Sequence, residues 1–280
     1  MSKVSGAISR ATARLSEAGV SSPRHDAEEL AAHVLGIRRS ALAVAADWPP
    51  AAAAAYQGLV SERARRVPLQ HLTGLAGFRH LTLAVGPGVF VPRPETEVLV
   101  SWALDRARGL PSPVVVDLCA GSGAIALSVA HELPAATVYA VEREELALAW
   151  LHRNAGSTDV EVVCGDATDP LLLAELDAGV DVVLSNPPYI PFGAEVEPEV
   201  ADHDPAAALW GGHDGLKVLR GVAARALRLL RPGGWFAVEH SDRQGSAVPA
   251  LLRGMGGWDD VDDHPDLAGR DRFSTARRAG

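Results

Sequence analysis

The chain has 280 residues, 48% of them hydrophobic and 22% charged, which is enough apolar material for a large core and excludes a disordered or fibrous protein. A formal net charge of −9 excludes a protein that grips a nucleic-acid duplex through phosphate contacts alone, because that needs a densely basic surface. Two cysteines, Cys119 and Cys164, exclude a disulfide framework and lack metal-ligand spacing, so a reducing cytoplasm is the expected compartment and no metal is expected. No run of about 18 apolar residues occurs, and residues 1–10 hold a lone Lys3 without an apolar segment, so neither a membrane nor a secreted protein is expected. The charge is uneven: residues 1–80 carry 10 Lys and Arg against 6 Asp and Glu, and residues 81–280 carry 16 against 29.

From Val4 to about Arg66 apolar residues recur at helical spacing, as in Ile8, Ala11 and Leu15, then Leu30 and Val34 with Ile37 beyond Gly36. This predicts a small helical bundle. Ser21-Ser22-Pro23 suits the N-terminus of a helix near Asp26, and Trp48-Pro49-Pro50 breaks the chain before the alanine run 51–55. After Gly74 the period changes, with Phe78, Leu81, Leu83 and Val85 alternating, a turn expected at Gly86-Pro87-Gly88, and Val89-Phe90-Val91 following. The expectation is a β-hairpin linking two domains. Beyond it helical and extended patterns alternate, the mark of βαβ units around a mostly parallel sheet, with strands expected at 114–118, 137–142, 160–164, 181–185 and 235–240. Two further extended runs, 258–262 and 272–276, predict an antiparallel end to that sheet.

The first predicted strand runs into Cys119-Ala120-Gly121-Ser122-Gly123 and then a helix. Glycines let the backbone turn tightly against a ligand, and the helix N-terminus offers unpaired N–H groups, so this is either a nucleotide-type binding loop or a plain strand-to-helix turn. Gly121 to Ala126 also satisfies a relaxed G-x-G-x-x-[GA], so the loop alone does not separate a dinucleotide from another adenosine ligand. Glu142 closes the second strand about 20 residues on, where a carboxylate accepts from ribose hydroxyls; the alternative is a solvated acid beside Arg143, Glu144 and Glu145. Asp166, at the end of the third strand, either accepts from an adenine amino group or caps the following segment.

Ser185-Asn186-Pro187-Pro188-Tyr189 ends the fourth strand, on the edge where open α/β sheets bind ligands. Two prolines cannot continue a central strand and fix a rigid turn with free carbonyls. A planar –NH₂ group can then donate one hydrogen to the Asn186 side-chain oxygen and the other to the Pro187 carbonyl, with Tyr189 as an aromatic wall. Such a cradle suits methyl transfer from the already activated sulfonium of S-adenosylmethionine to an amide or aromatic amine, because positioning carries much of the work and no strong base is needed first.

These loops, together with Pro68-Leu69-Gln70-His71-Leu72-Thr73-Gly74 and Val91-Pro92-Arg93-Pro94-Glu95-Thr96-Glu97, resemble the bacterial peptide-chain release factor glutamine methyltransferases, the HemK/PrmC family, over about residues 5–278. The resemblance implies an α/β fold: a Rossmann-like S-adenosylmethionine-dependent methyltransferase sheet (94–280), joined by a β-hairpin linker (74–93) to an N-terminal helical substrate-recognition domain (1–73). It implies that the acceptor is the glutamine of the Gly-Gly-Gln loop in class 1 release factors, with S-adenosylhomocysteine as the other product and translation termination as the process served. By position it puts Cys119, Ala120, Gly121, Ser122 and Gly123 around the methionine part of the cofactor, Glu142 on the ribose, Asp166 and Ala167 near the adenine, and Asn186, Pro187, Pro188 and Tyr189 around the target amide. Asn186, Pro187 and Tyr189 are the catalytic candidates, Asn186 also borders the cofactor, and Arg93, Pro94 and Glu97 lie near the mouth of the site. The chain departs from the family's Asp-Leu-Gly-Thr-Gly-Thr-Gly, since Cys119 stands at the first glycine, which predicts a slightly tighter loop. Glu142 replaces a common Asp, and Ala167 stands where some members carry a bulky aromatic residue, so stacking on the adenine is not carried over to it.

An adenine-amino methyltransferase acting on DNA or RNA presents the same two-hydrogen target and is the alternative, but the acidic rear half and the lack of a recognition insertion count against it. A ribosomal-protein glutamine methyltransferase is a nearer alternative that differs mainly in its front domain. A nicotinamide-dependent oxidoreductase leaves the Asn-Pro-Pro-Tyr segment without a purpose, and a non-catalytic adaptor would not need it. The expected partners are class 1 release factors, with no stable nucleic acid and no membrane, and a monomer is expected. His203 and His213 beside aspartates read as solvated loops, Cys119 and Cys164 as small apolar residues at strand ends, and Glu239-His240 as either pocket-shaping or core. The basic run Arg63, Arg65 and Arg66 reads as a solvated helix face, with docking on an RNA-rich assembly or an acidic release-factor surface as its alternative.

Overall fold

The computed structural model describes residues 3–280. Its helices are α1 (Lys3–Glu17), α2 (Pro23–Leu35), α3 (Ala52–Ala64), α4 (Leu69–Thr73), α5 (Glu97–Ala107), α6 (Ala124–Glu132), α7 (Glu145–Ala155), α8 (Pro198–His203), α9 (Ala206–Leu209), α10 (Lys217–Leu229) and α11 (Ala247–Met255). Its strands are β1 (Leu75–Phe78), β2 (Leu81–Ala84), β3 (Val114–Leu118), β4 (Thr137–Glu142), β5 (Glu161–Cys164), β6 (Val180–Ser185), β7 (Leu230–Glu239), β8 (Trp258–Pro265) and β9 (Asp271–Arg278). The chain divides into two compact units, one through Leu75 with Val196–His203 added, the other Ala76–Glu195 with Asp204–Gly280. Among the described residues no helix is long and apolar enough to cross a membrane.

The first unit is helical because its apolar residues recur on one face. In α1 the buried residues are Val4, Ile8, Ala11 and Leu15, a stripe at intervals of three and four. Helix α2 starts with Pro23 in its first turn and stops at Gly36, whose φ of +65° is the left-handed conformation that closes a helix. In α3 the buried face is Tyr56, Val60 and Arg63, and the Tyr56 hydroxyl donates to the Ala27 carbonyl at 3.0 Å. Arg63 therefore does not lie on a solvated basic face. Its Nε donates to Asp26 Oδ2 at 2.7 Å and its Nη2 to Glu199 Oε1 at 2.9 Å, while Arg66 Nε reaches the same Glu199 oxygen at 3.0 Å. Only Arg65 keeps to the surface, paired with Glu62. These ion pairs gather residues 196–203 with the helices, although the sequence carries that segment within the span read as the methyltransferase domain.

In the second unit the hairpin is β1–β2, and its turn falls at Arg79-His80 with Arg79 at φ +50°, not at Gly86-Pro87-Gly88. The glycine segment does turn, the Val89 N–H donating to Gly86 O at 3.3 Å, but it closes no strand pair and is packed against α7. A Cβ on Gly86 would lie 2.5 Å from the Trp150 ring and one on Gly88 2.6 Å from Leu146, so glycine here serves close approach. Val85, Val89 and Val91 bury themselves against Ala147 and Trp150 in a small separate cluster. From Ala76 onward the span expected as a linker thus groups with the sheet.

The sheet has the order β5-β4-β3-β6-β7-β9-β8. Neighbours from β5 to β7 are parallel, and β9 and β8 add the antiparallel end. Each strand sends alternate residues to opposite faces. Val115 and Leu184 join α5 and α6 in one core, and Val116 and Val183 join α10 and α11 in the other, so helices cover both faces. The chain winds from β3 outward to β4 and β5, then returns to the other side of β3 with β6. That reversal opens a crevice at the C-terminal ends of β3 and β6, the place where doubly wound sheets bind ligands.

Candidate active site

The two loops singled out by their residue types begin side by side. Leu118 is in register with Ser185, and the Ser185 hydroxyl donates to the Leu118 carbonyl at 2.6 Å. Neighbouring strands lie about 4.8 Å apart, so the loops after β3 and β6 start side by side and border one crevice.

The loop after β3 turns through three left-handed residues, Cys119 at φ +69°, Gly121 at +55° and Gly123 at +88°. A Cβ on Gly123 would meet Leu151 at 2.6 Å, so glycine is required there. Cys119 occupies a left-handed conformation that suits glycine, which accounts for the glycine of the family pattern; nothing in the structure explains the cysteine in its place. It is half-buried, and burial, followed by the nearby Glu142 and Asp117 charges, pushes its thiol up, so it packs as a neutral group; Cys164 is exposed instead of packed. The Ala120 N–H donates to Val141 O at 2.8 Å and ties the loop to β4. Ser122 is buried within the turn. Beneath it, buried Asp117 accepts from the Ala126 N–H at 3.1 Å and braces the first turn of α6; burial, opposed by that hydrogen bond and reinforced by Glu142, pushes its carboxyl up to about 7.

Glu142 is buried rather than solvated. Its Oε2 accepts from the Gly121 N–H at 2.9 Å, and its Oε1 from the N–H groups of Arg143 and Glu144 at 2.8 and 2.9 Å. A carboxylate accepts up to about four hydrogen bonds, so capacity remains for a hydroxyl donor. Asp166 makes a local turn, with Oδ1 accepting from the Thr168 N–H and hydroxyl at 2.8 and 2.7 Å and Oδ2 paired with Arg143 at 3.3 Å. Ala167 is buried in the core under Leu118 and Val141. The ends of β3, β4 and β5 therefore collect N–H donors and carboxylates on one rim, a donor set that fits an adenosine with its ribose diol.

At the end of β6, the Asn186–Tyr189 turn is clamped from outside. The Ile190 N–H donates to Leu209 O and the Gly211 N–H to Ile190 O, both at 2.9 Å, and Gln244 Nε2 donates to Tyr189 O at 3.1 Å. The loop 211–215 lies so close that only glycine fits: a Cβ on Gly211 would stand 2.6 Å from Pro188 O and one on Gly215 2.3 Å from Tyr189 O. Asn186 Nδ2 donates to Thr96 Oγ1 at 3.4 Å. The Tyr189 hydroxyl donates to Glu239 Oε1 at 3.3 Å, and burial followed by the Glu239 charge pushes its ionisation up, so it stays a neutral donor.

The segment 93–97 is brought to the same place through Thr96. Arg93 ion-pairs with buried Asp204 at 2.8 Å and lies over the Phe90 ring, and Pro94 opens a short 3-10 turn, Pro94–Thr96. Glu97 starts α5 with its carboxylate accepting from the Arg79 N–H at 3.0 Å, so it holds the hairpin tip. Among the described residues no group of three or more His, Cys, Asp and Glu is placed to hold a metal ion. Sequence reasoning missed Thr96, Gly211, Gly215 and Gln244 as parts of the site. The glycines at 211, 212 and 215, following a second turn signal after the prolines, were the available hint for the clamp.

Comparison with known proteins matches two successive stretches of the chain to two families. Residues 6–74 match the PrmC N-terminal domain family and residues 81–203 the methyltransferase small domain family. The chain is 53% identical over 279 residues to the release factor glutamine methyltransferase of Mycolicibacterium smegmatis, covering 99% of each. It is 39% identical over 269 residues to a 4-amino-L-phenylalanine/4-methylamino-L-phenylalanine methyltransferase of Streptomyces pristinaespiralis, covering 92% of this chain and 90% of that one. Its fold resembles that of the T. thermophilus 16S rRNA methyltransferase RsmC in complex with AdoMet and guanosine, at a TM-score of 0.53 and 22% identity, over 73% of this chain and 49% of the other.

Proposed function

Because the chain belongs to the release factor glutamine methyltransferase family, we propose that it moves a methyl group from S-adenosylmethionine to the side-chain amide nitrogen of the glutamine in the Gly-Gly-Gln motif of class 1 peptide chain release factors. The observation that carries this reading is the rigid Asn186–Tyr189 turn, held at the switch point directly beside the left-handed loop after β3. Cys119 to Gly123 hold the methionine part of the donor, Glu142 the ribose, and Asp166 with Ala167 border the adenine. The bound donor supplies an electrophilic methyl on sulfur; the C–S bond breaks as the N–C bond forms, and sulfur keeps the electron pair.

The chain's own residues do the positioning. Asn186 Oδ1 and the Pro187 carbonyl accept the two amide hydrogens, which aims the nitrogen lone pair at the methyl and favours the positive charge that develops there. The methylated nitrogen is acidic and gives its extra proton to water after transfer, so no base of matched pKa is needed. Pro188 and Tyr189 keep the turn in shape, with Arg93, Pro94 and Glu97 on the acceptor side. The helical unit serves to recognise the release factor. A cradle that must admit a loop of another protein suits a monomer working in the cytoplasm on a protein partner, without stable nucleic-acid or membrane binding.

Intact-mass measurement of a class 1 release factor, after incubation with this protein and S-adenosylmethionine, tests the reading. One methyl increment is expected with the native glutamine and lost both when that glutamine is replaced and in Asn186→Ala. No increment despite binding of S-adenosylmethionine would move the acceptor to a nucleic acid or another protein.

A further inference from the structure

We propose that Glu239, acting through Thr96, is a positioning residue that fixes which way the Asn186 amide faces and so presents its oxygen to the acceptor nitrogen. This rests on the methyl-transfer reading above. Val238 on β7 is in register with Ser185, the last residue of β6, so Glu239 stands one step further on, level with Asn186. It is buried, with Oε1 receiving the Tyr189 hydroxyl and Oε2 lacking any partner at normal hydrogen-bond length. Thr96 is the foremost of the groups that favour its charged form, although no hydrogen bond of ordinary length joins the two in this structure. Catalytic hydrogen bonds are often long before substrate binds and shorten in the complex.

An asparagine amide has an oxygen end and an NH₂ end of nearly equal size, and only its partners choose between them. The acceptor cradle needs the oxygen, because the incoming group brings two N–H donors. Thr96 decides the matter at 3.4 Å from Asn186 Nδ2. A threonine hydroxyl has one hydrogen. Given to the Glu239 carboxylate, it leaves Thr96 with only lone pairs toward Asn186, so Nδ2 turns to Thr96 and Oδ1 faces the acceptor. Protonation of Glu239 reverses the chain: the carboxyl O–H donates to Thr96, the Thr96 hydrogen is free for Oδ1, and the amide presents NH₂ to NH₂.

The groups that face Glu239 come from three elements. Arg272 on β9 favours its charge, Glu95 in the turn before α5 opposes it, and Tyr189 donates from the loop after β6. Burial outweighs the rest and pushes the carboxyl up to about 7. The orientation switch therefore operates close to neutral pH, with the active direction above it.

The test uses the full chain, a class 1 release factor and S-adenosylmethionine. Thr96→Val should lower kcat on the order of 10- to 100-fold, the effect of one charge-assisted hydrogen bond, with KM and S-adenosylmethionine affinity within about twofold of wild type. Thr96→Ser should restore the rate. Wild-type kcat should fall as pH drops below about 7, and Glu239→Gln should flatten that fall. Wild-type kcat in Thr96→Val, or an unchanged pH limb in Glu239→Gln, overturns the proposal; if Glu239→Gln fails to fold, the Val and Ser pair at Thr96 decides. A further arm needs no substrate: the Asn186 side-chain NH₂ resonances should shift with pH near neutrality in the wild type and not in Thr96→Val, and signals that stay fixed in the wild type overturn the relay. Absence of methylation by the wild type, with those resonances titrating, refutes the assigned acceptor and leaves the relay standing.

Discussion

Replacing Gly211 by alanine perturbs the acceptor cradle while leaving the sequence of the Asn-Pro-Pro-Tyr segment unchanged. The added Cβ would stand 2.3 Å from the Gly215 carbonyl oxygen and 2.6 Å from the Pro188 carbonyl oxygen, both backbone atoms. Contact without overlap needs roughly 3.2 Å, so one of the two loops must move by close to ~1 Å. Gly211 itself cannot turn away, because its N–H donates to Ile190 O at 2.9 Å and its carbonyl accepts from Lys217 N at 2.8 Å. Overpacking of this kind costs about 1–3 kcal/mol. Displacement of the turn that aims the nucleophile by ~1 Å costs on the order of 100-fold in rate. The expected result is a kcat on release factor lowered by about two orders of magnitude, S-adenosylmethionine affinity close to wild type, and a Tm lower by roughly 2–10 °C. Calorimetric binding, thermal unfolding and single-turnover methylation separate these effects. A Gly211→Ala enzyme with wild-type kcat would refute the claim that this loop sets the position of the cradle.

Two further expectations concern stability. Arg63→Ala leaves the carboxylates of Asp26 and Glu199 without their buried partner and should destabilise the helical unit by about 3–5 kcal/mol, whereas Arg65→Ala, at the surface, should stay within about 0.5 kcal/mol; denaturant unfolding of the two variants side by side checks the contrast. The raised carboxyl of Asp117 makes the ligand-free chain lose stability as pH rises: between about 4, where the unfolded carboxyl gives up its proton, and about 7, where the folded one does, the folded state binds more protons. Asp117→Asn should reduce the slope of Tm against pH in that window, by up to about 1.4 kcal/mol per pH unit of stability, and a slope equal to wild type would count against the burial argument.

What the sequence by itself determined is chemistry carried by neighbours in the chain. The strands around 114–118 and 137–142, the glycine turn ahead of α6, the carboxylate at 142 and the Asn-Pro-Pro-Tyr turn were all legible, because each depends on backbone conformation and residue type within a few positions. The antiparallel end of the sheet was legible for the same reason, from the extended runs that became β8 and β9. Tertiary structure decided what depends on partners distant in the chain. Arg63 looked like part of a solvated basic run until Asp26 and Glu199 surrounded it, though its place three residues after Val60 and seven after Tyr56 on the same helix face pointed inward. Gly86-Pro87-Gly88 had the composition of a hairpin turn, but the Trp150 ring and Leu146 took up the space beside it, and the hairpin closed at Arg79-His80. Thr96 and Glu239 are 143 positions apart and carry no shared motif. Only the sheet order, which sets β7 beside β6 and lays the start of α5 against the Asn186 turn, brings a hydroxyl and a buried carboxyl behind one amide, because hydrogen bonds are chosen by distance in space and the chain supplies only the groups that compete for them.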